Sequence, residues 1–121
     1  MSATARSATA AVQPLVRAAW GGALLLAPRR SLALLGARNV PDSGVVVARV
    51  FGARHIAQAL ATREWPDPVV LAFSGATDAL HAASGVLFAG VDARWRRAAL
   101  VDAAIASAFA FTSWRAAAAA G

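Results

Sequence analysis

The chain has no cysteine and no lysine. The first absence excludes disulfides and any metal or cluster held by thiolates. The second means that all 12 basic residues are arginines, which set a formal net charge of +6 against only six acids. No acid occurs in the first 41 residues. Aromatic residues make up 7% of the chain, too few to supply the aromatic girdles of a transmembrane barrel, and β-branched residues for its strands are sparse. The patterns G-x-x-x-x-G-K-[ST], H-E-x-x-H and G-x-S-x-G are missing as well, so no motif supports catalysis. No cofactor or metal is implied.

What is present is apolar. Hydrophobic residues reach 59% of 121 positions, with a mean hydropathy of +0.55, above the usual composition of a soluble domain. Alanine alone supplies 35 residues, which favours helix and lets helices approach closely. The expectation is one all-α domain over residues 1–121, an integral membrane bundle with the lipid bilayer as its first partner. Nucleic acid is not expected as a partner, because the arginines stand singly or in pairs at the ends of apolar runs and build no dense basic face with interleaved aromatics.

Four apolar segments are read as membrane helices, at about residues 8–27, 45–62, 68–89 and 98–115. The first contains Pro14 and Arg17, and is read as a tilted crossing with Arg17 snorkelling outward; a cleavable leader fits poorly, since the charge falls inside the apolar core. A short interfacial helix is expected near residues 30–37. Asp42 and Ser43 are candidate N-caps for the second segment, while Asp67 followed by Pro68 reads as the N-cap and first residue of the third. Trp20, Trp65 and Trp95 lie where interfacial aromatics belong. The connections after the first and third segments carry Arg29, Arg30, Arg38, Arg94, Arg96 and Arg97, against Arg6, Arg17, Arg63 and Arg115 on the other side. The plasma membrane is the expected location, and this asymmetry favours both termini on its non-cytoplasmic side.

The third segment holds the most specific signal. At 100° per residue, Ser74, Asp78, His81 and Gly85 fall within about 60° of one another, bordered by Thr77 and Ser84. Leu71, Ala72, Ala79, Ala83 and Leu87 are assigned to the other face. Such a stripe belongs against protein or water, because lipid would leave it unsatisfied. On the second segment Arg54 and Gln58 are i,i+4 neighbours with His55 adjacent. With a rise of about 1.5 Å per residue, Arg54, Asp78 and His81 share a level near the membrane centre, whereas Arg49 and Asp102 share a shallower one. Two ion pairs are therefore expected, Arg54 with Asp78 and Arg49 with Asp102, with the exchanged pairing as the alternative. The polar cluster Arg54, His55, Gln58, Ser74, Asp78 and His81 has two readings. It is either a lock that fixes the bundle, or the lining of a ligand or proton site. Haem held between His55 and His81, the only histidines, is a weaker third idea.

The run from Arg49 through Gly52-Ala53-Arg54-His55 to Gln58, then Asp78-Ala-Leu-His81 and Ser84 with a later Arg-Arg-Ala-Ala-Leu, resembles small, largely uncharacterised four-helix membrane proteins of actinobacteria. The likeness covers about Val45 to Phe111. It implies a four-span fold and no established chemistry. Proteins of that kind can serve as accessory subunits of larger envelope assemblies such as lipid transporters, so a larger membrane complex or a homo-oligomer is the implied setting. A small carrier with a cavity lined by Arg54, His55, Asp78 and His81 is the alternative.

Overall fold

The computed structural model describes the backbone of residues 3–121 and the side chains of residue 8 and of residues 11–121. Arg6, counted above on the terminal side, lies outside the described side chains. Five helices and no strand occur among the described residues: α1 (Ala3–Leu26), α2 (Pro28–Leu34), α3 (Asp42–Glu64), α4 (Pro68–Val91) and α5 (Arg96–Ala120).

The ends follow from local chemistry. Asp67 caps α4 by accepting from the Val69 and Val70 amides at 3.0 Å each, with Pro68 in the first turn where its missing N–H costs nothing. The short helix α2 closes on Gly36 at φ +104°, where Gly36 N donates to Ala33 and Ala37 N to Leu32, the two bonds of a Schellman motif. Asp42 is not a side-chain cap. It stands inside the first turn of α3, after Pro41, and takes a 2.8 Å hydrogen bond from Arg29. Pro14 leaves α1 unbroken, so its cost of about 3 kcal/mol is offset by the packing of α1 on its neighbours.

The four long helices form an up-down-up-down bundle in the cyclic order α1, α3, α4, α5, each antiparallel to the next. Leu25 faces Arg49 and Gly21 faces Gly52 between α1 and α3. Gln58 faces Ser74 between α3 and α4, Ala72 faces Trp114 between α4 and α5, and Gln13 faces Phe109 to Ser113 between α5 and α1. Small residues set the closest approaches: a Cβ on Gly21 would lie 2.8 Å from the Gly52 carbonyl oxygen. Packing is densest between α4 and α5 and sparsest between α3 and α4. The short α2 lies across one end, where Leu35, Ala37 and Ala98 gather Trp20, Val40 and Trp95. That end collects Arg29, Arg30, Arg38, Arg94, Arg96 and Arg97.

Polar side chains share the interior with small and apolar ones, and many large apolar side chains face outward. The largest fully buried side chains are Arg17, Asp78 and Ser113, whereas Val69, Phe73, Leu80 and Leu87 are each more than 70% exposed. Arg17, expected to snorkel outward, is 0% exposed. It points inward because a carboxylate waits there. Leu71, assigned to the face opposite Asp78, is buried with it; seven residues make nearly two full turns, so the two share a face. One helix, Pro68–Val91, is both long and apolar enough by composition to cross a membrane, and Ala11–Leu26 is a shorter apolar stretch, among the described residues.

Candidate functional site

The polar interior is built by one residue from each of several helices. Arg17 of α1 donates from Nη1 to Asp78 Oδ1 at 2.9 Å and from Nη2 to Oδ2 at 2.5 Å, an end-on bidentate pair with both side chains fully buried. The same Nη1 lies 3.3 Å from His55 Nδ1. A guanidinium can only donate, so this ring nitrogen accepts and the ring proton sits on Nε2. Phe109 of α5 closes the cluster, its ring 4.3 Å below the Arg17 guanidinium carbon and 5.5 Å from the His55 ring. One turn earlier on α1, Gln13 Nε2 is shared among the Phe109 carbonyl, Thr112 Oγ1 and Ser113 Oγ.

The expected partner of Asp78 takes second place. Arg54 Nη1 lies 3.9 Å from Asp78 Oδ1, within electrostatic reach but beyond hydrogen-bond length, and its side chain is 23% exposed. Gln58 Nε2 donates to Ser74 Oγ at 3.0 Å, which joins α3 to α4 as the shared stripe implied. His81 does not join this cluster. Its Nε2 lies 2.5 Å from Asp102 Oδ2, and its ring meets Phe51 edge-on at 4.5 Å. Arg49 and Asp102 do not meet: Arg49 is exposed and donates to the Leu25 carbonyl at 3.3 Å, because α1, and not α5, is the neighbour on its side of α3. His55 and His81 engage different partners and present no facing pair to a haem. No group of three or more His, Cys, Asp or Glu able to hold a metal occurs among the described residues.

His81 and Asp102 line a cavity of about 440 Å³ bounded by α3, α4 and α5 near the end that α2 covers. Its walls are mainly apolar, including Leu24, Val47, Phe51, Phe88 and Trp95. The sequence-predicted residues therefore divide into two places, a sealed centre around Asp78 and an open groove around His81.

No protein-family model, curated protein or solved structure matches the chain. Function must be read from the geometry.

Sequence reasoning missed Gln13, Arg17 and Ser113 as members of the centre. A signal for two of them was present. Gln13 and Arg17 are four residues apart, the spacing of Arg54 and Gln58, and in antiparallel helices the reversed order brings like residues to like depth. Ser113 has no such mark, since its neighbours Thr112 and Trp114 are equally exposed to either assignment by periodicity alone.

Proposed function

We propose that the chain is a small multi-pass membrane protein in which α1, α3, α4 and α5 cross the bilayer, acting as an accessory or scaffolding subunit of a larger envelope or lipid-transport assembly. The observation that supports the membrane reading is a fully buried arginine, aspartate and serine at the centre together with many large aliphatic and aromatic side chains outside. Lipid rewards that distribution and water does not. The four helices contain 23 to 25 residues, about 35 Å at 1.5 Å per residue, enough for a hydrocarbon core of about 30 Å. Average apolarity singles out α4 alone because the other three carry more charge; of those charges Arg17 is buried, whereas Arg49, Arg63, Arg96 and Arg97 are exposed. Hydroxyls on the outer faces support the same reading: Thr77 and Ser84 donate to the carbonyls of Phe73 and Leu80 four residues back, which satisfies them without water.

In this reading the Arg17–Asp78 pair is a lock on helix register, and four short spans with a sealed centre leave little room for a transport path. The test is fractionation followed by mild-detergent purification. The protein should stay in membranes after an alkaline wash and leave them only with detergent; release by the wash, or recovery in the soluble fraction, refutes the reading.

The groove favours a second function, binding of an amphiphile. A cavity of this size with apolar walls and one hydrogen-bonded polar pair has the form of a small-ligand site. Val47→Trp, placed at a half-exposed wall position, should lower the lipid recovered with the purified protein several-fold while leaving the bundle intact. Equal lipid recovery would count against it.

A further inference from the structure

The groove carries one titratable pair among its apolar walls, His81 of α4 and Asp102 of α5, joined at 2.5 Å between Nε2 and Oδ2. That bond uses one polar atom of each side chain. The other two, His81 Nδ1 and Asp102 Oδ1, take no hydrogen bond from the chain among the described residues. They are also within reach of a ligand, because the two side chains are 13% and 19% exposed and both line the cavity. In this they differ from the unpartnered nitrogens of Arg17 and Arg54, which the chain itself covers. Ser84, one turn along α4 in the same lining, spends its proton on the Leu80 carbonyl and leaves the pair unaided.

The lining also selects the charge of the head group. Among the described residues no arginine lines the cavity, so a carboxylate or phosphate would face Asp102 in apolar surroundings with no arginine to hold it. An ammonium would meet a carboxylate already engaged by His81, and would bring net charge into a layer where Arg17 and Arg54 balance Asp78 and Asp102. A hydroxyl costs least to bring in. It donates to Asp102 Oδ1 and its oxygen accepts a further bond, so it fits the pair in either protonation state of His81. An alkane would strip water from Oδ1 and Nδ1 and return nothing. A volume of about 440 Å³ lies low in the usual range of about 300–1,000 Å³ for small-ligand sites, which suits a single chain.

We propose that the groove binds a neutral single-chain lipid alcohol, with its hydroxyl on the His81–Asp102 pair and its chain against Phe51, Phe88 and Trp95. This rests on the amphiphile reading above and names the class of ligand. The walls hold the chain; the pair selects the head.

The test uses the full chain purified in mild detergent and four probes of one chain length, decanol, decane, decylamine and decanoic acid, each carrying bromine at the far end to quench tryptophan. Every apparent affinity is corrected for partition into protein-free micelles of the same detergent. Decanol should bind about tenfold or more tightly than each of the other three, and Trp95→Phe should remove most of the quenching. Removing one member of the pair would strand the other, so the variant is His81→Phe with Asp102→Leu together. It should bind the alkane as the wild type does or better and lose the advantage of the alcohol. If no probe quenches beyond the micelle background and Val47→Trp leaves lipid recovery unchanged, the amphiphile reading itself falls. If the probes bind, the inference alone is overturned by any of three results: an alkane, amine or acid that binds the wild type as well as the alcohol, an alcohol preference that survives in the double variant, or quenching that persists in Trp95→Phe. Should the double variant fail to fold, the ranking of the four probes on the wild type decides the question unaided.

Discussion

Arg17 and Asp78 are each other's only source of opposite charge at full burial, and the pair sits where neither can reach water. Breaking such a pair leaves an uncompensated ion and costs about 3–5 kcal/mol, whereas replacing both members by apolar residues of similar size is often neutral. Asp78→Asn should therefore sharply lower resistance to heat in detergent, and Arg17→Met combined with Asp78→Leu should recover most of the loss. A double variant as unstable as the sum of its parts would show that the two residues are not coupled and would overturn the lock. Arg54→Gln should change stability little by comparison, because it removes a cation that the chain itself leaves largely unpaired.

Between elements, glycine decides how closely helices approach. A side chain on Gly21 would lie 2.8 Å from the Gly52 carbonyl oxygen and 2.9 Å from His55 Cβ, so Gly21→Ala should push α1 from α3, disturb the His55 contact and cost about 1–3 kcal/mol. Gly22 and Gly90 have nothing within 4 Å of the same built position. Alanine there should be neutral or stabilising by about 0.5–1 kcal/mol, since it removes the entropy cost of glycine in a helix. Thermal unfolding of the three alanine variants in one detergent checks the ranking. A loss at Gly22 as large as at Gly21 would mean that this face of α1 is covered in the assembled state.

At the scale of the molecule, the two connections rich in arginine come together at one end. Arg94 donates to the Asn39 carbonyl at 2.9 Å, and the stem of Arg97 lies against Gly36. If the helices cross a bilayer as proposed, this end faces the cytoplasm by the excess of arginine. The absence of cysteine makes the orientation easy to measure. A single cysteine at Ala120 should react with an impermeant reagent in intact cells, and one at Ala93 only after the membrane is opened. The opposite pattern would place the arginine-rich end outside.

Helix number and type were legible in the sequence, because apolar runs, proline and N-cap chemistry act over a few residues; Asp67 with Pro68 is the plainest case. The polar stripe of α4 was legible for the same reason, since periodicity is local, although Leu71 shows how an error of phase misassigns a face. Which charges pair was not legible. Depth counting could say that Arg54, His55, Asp78 and His81 lie at similar levels, but depth is one coordinate and pairing needs the angle around the bundle as well. Only the cyclic order of the helices supplied it, turning α1 toward Asp78 and α5 toward His81, so that Arg17 became the lock and Arg54 was left 3.9 Å from Asp78.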